Sequence, residues 1–256
     1  MALARSDGAF FDDHFSALGL RRGMDVLVHS RLVTFGRITG GAPTIYEALR
    51  RAIGEEGTIA VPTYTFQLGP EGVFDPASTP SIGFGAFSDW VRQHPGTQRG
   101  ICPIHGNSAN GPRADAIANA DETRSVGPGS SFDAMHQTNF QLLLLGCSFQ
   151  QGATFVHHVE AEVGVPYRQW LELPRQVRAS DGGVRKISVR YYGRAKESPW
   201  HPHLHDLQKS MTKESQVATA PAPYGQSIFV SLDTLFHSTA AFIKENPFGV
   251  VSQTTD

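Results

Sequence analysis

The densest run of chemistry-bearing side chains is Thr154-Phe155-Val156-His157-His158-Val159-Glu160-Ala161-Glu162. On a helix, His157 and Glu160 sit three apart on one face, and His158 and Glu162 sit four apart on the adjacent one. A carboxylate beside a neutral imidazole holds one tautomer and raises its basicity, so the other ring nitrogen can take a proton near neutral pH. Successive residues diverge by about 100° around a helix, so the two histidines cannot face the same site and one of them is structural. The competing reading makes both of them ordinary polar residues of a surface helix.

Three other stretches carry useful chemistry. Ser30, Arg31 and Thr34 follow a strand, where backbone N–H groups and a cation could meet a phosphate or a pantetheine arm. A plain polar strand-to-helix loop is the alternative there. Pro62-Thr63-Tyr64-Thr65-Phe66 follows a second strand and puts hydroxyls and aromatics at a carboxyl edge, where α/β proteins bind ligands. His105 lies in Pro103-Ile104-His105-Gly106-Asn107-Ser108, which reads as a loop too polar to be core. The sequence has no Walker or G-x-G-x-x-G pattern, which counts against nucleotide-dependent kinases and dehydrogenases.

A rival constellation is His201-Pro202-His203-Leu204-His205-Asp206. In an extended segment its three histidines alternate onto one face, which suits a metal. With His157 and His158 this gives a metal-dependent hydrolase as the alternative function. Against it, the carboxylates lack zincin-helix spacing, and a new helix begins near Leu204.

The apolar spacing supplies the scaffold. Strands are expected at 24–29, 58–61 and 141–145, and helices at 12–22, 43–52, 84–94, 114–120, 154–163, 204–213 and 232–244. Thr154 is the expected cap of its helix. Segments 62–82 and 95–113 read as loops, and 170–192 as a hairpin about Ser180-Asp181-Gly182-Gly183. A strand, loop, helix and strand within 24–61 imply parallel strands joined by a right-handed crossover.

Composition bounds the class. A formal charge of -2 over 256 residues argues against nucleic acid or an anionic membrane as principal partner. The two cysteines are too few for a disulfide framework, and Cys147, after an apolar run, reads as an inert core thiol. Residues 1–11 lack a signal-peptide core, and no stretch nears the roughly 18 apolar residues of a membrane span. The cytosol is the expected location.

Along most of its length the chain resembles the aminoglycoside 3-N-acetyltransferase (antibiotic N-acetyltransferase) family. The resemblance rests on ordered pieces: Val28-His29-Ser30-Arg31-Leu32, Val61-Pro62-Thr63-Tyr64-Thr65, Phe74-Asp75-Pro76, Asn110-Gly111-Pro112-Arg113-Ala114 and Gly127-Pro128-Gly129-Ser130-Ser131. The most specific is Thr154-Phe155-Val156-His157-His158-Val159-Glu160 with Val165-Pro166-Tyr167-Arg168. It implies an α/β fold with a mixed, largely parallel sheet flanked by helices and a small hairpin-containing sub-lobe. It also implies one domain over 1–256, with an acceptor-side hairpin and insertion at about 168–205.

The activity it implies is direct acetyl transfer from acetyl-CoA to a primary amine of a small molecule, with no acyl-enzyme. The family's catalytic histidine falls on His157, with Glu160 and Thr63 beside it. Ser30, Arg31, Leu32, Thr34, Phe35, His105, Asn107 and Ser108 would contact coenzyme A. Tyr64, Asp75, His158, Glu162 and Tyr192 would lie toward the acceptor. The expected assembly is a monomer or homodimer. Two departures stand out: Cys102-Pro103-Ile104-His105-Gly106 replaces the family's usual sequence, which keeps a non-catalytic member open. In addition, Arg190-Tyr191-Tyr192-Gly193-Arg194 is basic where the family is acidic, which points to an acceptor less cationic than a classical aminoglycoside.

Overall fold

The computed structural model describes residues 3–179 and 181–253. Its strands, in chain order, include β1 (Val26–Ser30), β2 (Ile59–Pro62), β3 (Gln98–Arg99), β4 (Asn107–Asn110) and β5 (Gln141–Leu145). They continue with β6 (Gln169–Arg178), β7 (Val184–Gly193), β8 (Ala218–Ala222) and β9 (Gly225–Ser231). The helices are α1 (Gly8–Ala17), α2 (Ala42–Ile53), α3 (Gly85–Gln93), α4 (Ala114–Ala118) and α5 (Ser131–Gln137). They are followed by α6 (Phe149–Gly152), α7 (Val156–Val163), α8 (His205–Lys213) and α9 (Leu232–Glu245).

Seven strands form the main sheet in the order β8-β9-β5-β1-β2-β4-β3. β1 runs parallel to both β5 and β2, while β4 and β9 pair antiparallel on either side. The sheet is therefore mixed and helix-flanked as expected, with its parallel part confined to the three central strands. These are near-continuous apolar runs because both of their faces are covered. The pleat sends Leu27, Leu142 and Leu144 to a core with Phe132, Phe155 and Val159, on the side of α5, α7 and α9. Val26, Val28, Leu143 and Leu145 face the opposite core, with Phe11, Ile45 and Phe87 from α1, α2 and α3.

β6 and β7 pair through ten successive positions, from Gln169↔Gly193 to Arg178↔Val184, and the short strand Val73–Phe74 adds to β6 in parallel. This is the expected hairpin. Of its expected turn, Ser180 lies outside the described residues.

Several elements differ from the sequence expectation. The supposed loop 95–113 contains β3 and β4, and the polar run Asn107–Asn110 is a strand because β2 supplies its ladder partner. The β8–β9 hairpin and α5 were not expected at all. α1 starts earlier than the spacing implied, at Gly8, where Asp7 caps it by accepting the Phe10 N–H. α7 begins at Val156, with Phe155 in the cap position and no side-chain cap bond, so Thr154 does not cap it.

Two glycines let the chain fold tightly at the carboxyl ends of β1 and β5. Gly146 has φ +74°, and a Cβ there would stand 2.9 Å from the Arg31 carbonyl oxygen. At Gly152 a Cβ would meet Leu144 Cδ2 at 2.8 Å and His29 Cβ at 2.9 Å, so α6 can lie directly on the sheet. That packing delivers the chain into α7.

Candidate active site

α7 turns Val156, His158, Val159 and Glu160 inward. The His157 side chain is 23% exposed, and its Nδ1 lies 2.6 Å from Glu160 Oε2. An ionised Glu160 can only accept, so we assign the ring hydrogen to Nδ1, which donates and leaves the lone pair on Nε2. The Glu160 side chain is 2% exposed, and its other oxygen accepts the Tyr167 hydroxyl at 2.8 Å. Arg168 closes the cluster: Nε is 2.8 Å from Glu160 Oε2 as an ion pair, Nη2 lies 2.9 Å from His157 Nδ1 as a contact between two donors, and Nη1 donates to the Tyr192 carbonyl at 3.2 Å.

The electrostatics follow from these contacts. Burial alone would raise the Glu160 carboxyl, but His157, Arg168 and the Tyr167 hydroxyl hold it below the usual carboxylate range. Burial and then the Arg168 charge lower the His157 imidazole, against the opposing pull of Glu160. Burial, followed by Glu160, pushes the Tyr167 phenol up, so it stays a donor. The resulting unit is a neutral imidazole oriented by an ionised carboxylate, with Nε2 able to accept a proton.

The neighbouring histidine does something else. His158 is 1% exposed, and its Nδ1 accepts the Gly127 N–H at 3.2 Å. Its ring packs on Phe155 at 5.1 Å between centroids, and burial lowers its pKa to about 4. This corrects its placement toward the acceptor: the ring is a packing element. Glu162 is exposed one turn beyond His158, near Gly127.

The loop around His105 is also corrected, being core. The His105 ring lies 4.9 Å from those of both Tyr64 and Phe66, and its Nδ1 is 3.2 Å from the Ser125 carbonyl oxygen. Burial takes its pKa down to about 3. The polar sequence is buried because other segments supply most of its partners, Asn107 Oδ1 remaining without one among the described residues: the Thr63 hydroxyl donates to the Gly106 carbonyl at 2.8 Å and lies 3.0 Å from Ser108 Oγ. Asn107 Nδ2 donates to Ser131 Oγ at 2.9 Å.

Of the segment after β1, Phe35 is fully buried against Phe11 and His14, a correction to its expected cofactor contact. Thr34 is buried too, donating to the Gly146 carbonyl at 3.0 Å. Arg31 is exposed and Ser30 and Leu32 are half-buried. Among the described residues the Ser30 hydroxyl and His29 Nε2 have no hydrogen-bond partner. A cleft of about 190 Å³ is lined by Arg31, Thr34, Ser148, Gln151 and Tyr224. Another cleft, of about 310 Å³, is lined by Arg168, Gln169, Glu197 and Trp200.

Tyr192 is buried, with its hydroxyl donating to the Val165 carbonyl at 3.0 Å and its ring 4.9 Å from that of Trp170. Asp75 belongs to a turn at the hairpin's edge, where it accepts from Ala77 N–H and Ser78 Oγ and stands 3.5 Å from Arg178. The structure thus brings together His157 and Glu160, and not Asp75 or Glu162. Tyr167 and Arg168 had no role in the sequence reading, although their place in the Val165-Pro166-Tyr167-Arg168 motif was visible. The His201, His203 and His205 segment divides: His201 Nδ1 contacts Arg194, while His203 pairs with Asp206. Among the described residues no three His, Cys, Asp or Glu side chains converge to hold a metal ion.

The sequence model of a family described as Aminoglycoside 3-N-acetyltransferase matches residues 27–243. The chain belongs to that family. Aminoglycoside N(3)-acetyltransferase III from a Salmonella species is 29% identical over 185 residues, covering 65% of this chain and 64% of the relative. Aminoglycoside N(3)-acetyltransferase VII of Streptomyces paromomycinus is 29% identical over 198 residues, covering 68% of each chain. The chain thus spans just under two thirds of the length of the Salmonella relative. The structure of AAC-IIIb in binary complex with CoASH superposes with a TM-score of 0.83 at 20% identity, covering 97% of this chain and all of that one. That likeness fixes the fold as the family's. No described helix is long and apolar enough to cross a membrane.

Proposed function

We propose that the chain transfers an acetyl group from acetyl-CoA to a primary amine of a small-molecule acceptor, with His157 as general base. The observation that carries this is the 2.6 Å contact of His157 Nδ1 with Glu160 in a member of this family, which leaves Nε2 free. The amine nitrogen attacks the thioester carbonyl carbon while Nε2 takes its proton. The C–S bond then breaks, the amide forms, and coenzyme A leaves as thiolate and recovers a proton from the imidazolium. Ser30, Arg31 and Leu32, of which Arg31 lines the cleft after β1, are the residues we assign to coenzyme A. Thr63 acts from behind, by fixing the loop that carries His105.

The acceptor side is the hairpin. Between 168 and 194 stand Arg168, Arg175, Arg178, Arg185, Lys186, Arg190 and Arg194, against Glu172 and Asp181 alone. Arg168, Arg178, Arg185 and Arg190 are paired with Glu160, Asp75, Glu122 and Glu172 and Arg175 is buried, so the excess left to meet an acceptor is small, and it favours a less cationic amine such as an amino sugar or a biosynthetic metabolite. The expectation that accompanies it is one catalytic domain over 1–256, cytosolic, acting as a monomer or homodimer. A thiol-release assay with acetyl-CoA and a panel of aminoglycosides, amino sugars and other amines tests it. The reading fails if no amine gives thiol release and acetyl-CoA does not raise the melting temperature.

A further inference from the structure

Arg168 is buried, and its guanidinium touches both members of the His157–Glu160 pair. Its third contact, to the Tyr192 carbonyl, anchors it to β7, so the fork is held from outside α7. A cation against the ring of a base looks counterproductive. It guards against the opposite failure. The buried carboxylate pulls the imidazole up, against burial and then the Arg168 charge, and a protonated ring cannot accept a proton from an amine.

We propose that Arg168 is a positioning residue for His157: lying against imidazole and carboxylate from the hairpin side, its charge offsets that of Glu160 and, together with burial, keeps Nε2 unprotonated at rest. The use made of Nε2 rests on the transferase reading, whereas the ionisation state does not. The groups facing His157 are few. Glu160 faces it from its own helix, Arg168 from the following segment, Arg194 from the end of the hairpin and His105 from the loop before β4. Glu160 is the attractive charge. Arg194 repels in the same sense as Arg168, and His105 is buried and uncharged near neutral pH. Tyr167 and Tyr192 act on Glu160 and on the guanidinium rather than on the ring.

The test is a ¹⁵N NMR titration of the His157 ring, assigned by its loss in His157→Gln, in the wild type, Arg168→Gln and Arg168→Lys. In the wild type at pH 7 the ring is expected as Nδ1–H with a bare Nε2; an imidazolium there overturns the proposal whatever the variants do. Arg168→Gln is expected to raise the midpoint by about one to three pH units, with Arg168→Lys in between because it restores charge without the fork. The acidic limb of kcat/KM for thiol release moves up with the midpoint. A folded Arg168→Gln protein with an unmoved midpoint, losing rate equally at every pH, makes the arginine merely structural and overturns the proposal. If the wild type acetylates no amine, the transferase reading falls while the titration still decides this one.

Discussion

Tyr167 donates its hydroxyl to Glu160 Oε1 at 2.8 Å, on the oxygen turned away from His157. Both carboxylate oxygens are thereby hydrogen-bonded in a nearly dry site, one by a phenol and the other by an imidazole N–H, with the Arg168 guanidinium beside the second as an ion pair. A buried carboxylate costs several kcal/mol unless its lone pairs are met. Here they are met by groups that all prefer the anion. Glu160 therefore orients and balances the imidazole, which on the transferase reading leaves proton uptake to His157 Nε2.

The two adjacent histidines separate sharply by experiment. His157→Ala is expected to lower turnover by roughly 10²–10⁴ with little change in melting temperature, since the side chain is partly exposed. His158→Ala leaves the Gly127 N–H without its acceptor and opens space beside Phe155. The cost is about 1–3 kcal/mol of stability, read as a melting-temperature fall of several degrees with kcat nearly intact. Equal losses of rate from the two would undo the assignment.

Glu160→Gln keeps the shape and removes the anion. Glu160 raises the His157 imidazole while Arg168 and burial lower it, so its removal shifts the acidic limb of kcat/KM to lower pH. The plateau rate falls as well, because the tautomer is no longer enforced. Arg168 is left buried without its counter-ion, a loss of about 3–5 kcal/mol by the usual cost of breaking a buried pair. Chemical denaturation and a pH–rate profile on one preparation check both halves. An acidic limb that moves upward would mean that Glu160 does not raise the imidazole.

How legible this was depended on where each residue finds its partners. β1, β2 and β5 were readable because burial on both faces forces a continuous apolar run, and the His157–Glu160 pair because i, i+3 spacing on a helix is local. β4 was not readable, since Asn107, Ser108 and Asn110 become strand only through their pairing with β2. His105 looked exposed because its neighbours are polar, yet Thr63 and Ser131 from distant segments bond those neighbours and the Ser125 carbonyl meets the ring itself. Arg168 was missed for the same reason: its role exists only once the chain after α7 turns back onto that helix.

Four buried histidines make the fold sensitive to mild acid. Burial lowers His14 and His158 to about 4 and His29 and His105 to about 3. Each therefore stays neutral in the folded chain after its unfolded counterpart has begun to protonate near 6.5. The unfolded state binds the extra protons in that window, so stability is full above about pH 6.5 and falls as pH drops toward the folded values. The slope is about 1.4 kcal/mol per pH unit for each histidine fully in its window. Unfolding free energies at pH 7.5, 6.0 and 5.0 are expected to decline steeply, and less steeply in a folded His14→Gln variant. A flat profile across that range would show that the rings are charged or solvated in the native state.

The charge of the hairpin can be tested apart from the base. Arg190 lies over the Trp170 ring at 4.6 Å, is 3.7 Å from Glu172, and remains 41% exposed. Arg190→Gln removes a cation from the acceptor side without touching His157, Glu160 or Arg168. If amines approach over this face, KM for a polycationic amine falls by about two- to five-fold, the range of one screened surface charge, with kcat unchanged. KM for a neutral-bodied monoamine stays close to the wild-type value. Raising the salt concentration shrinks the difference between the two proteins, since a screened charge is the cause. An unchanged KM for the polycation at low salt removes the hairpin from the acceptor side and with it the case for a less cationic substrate.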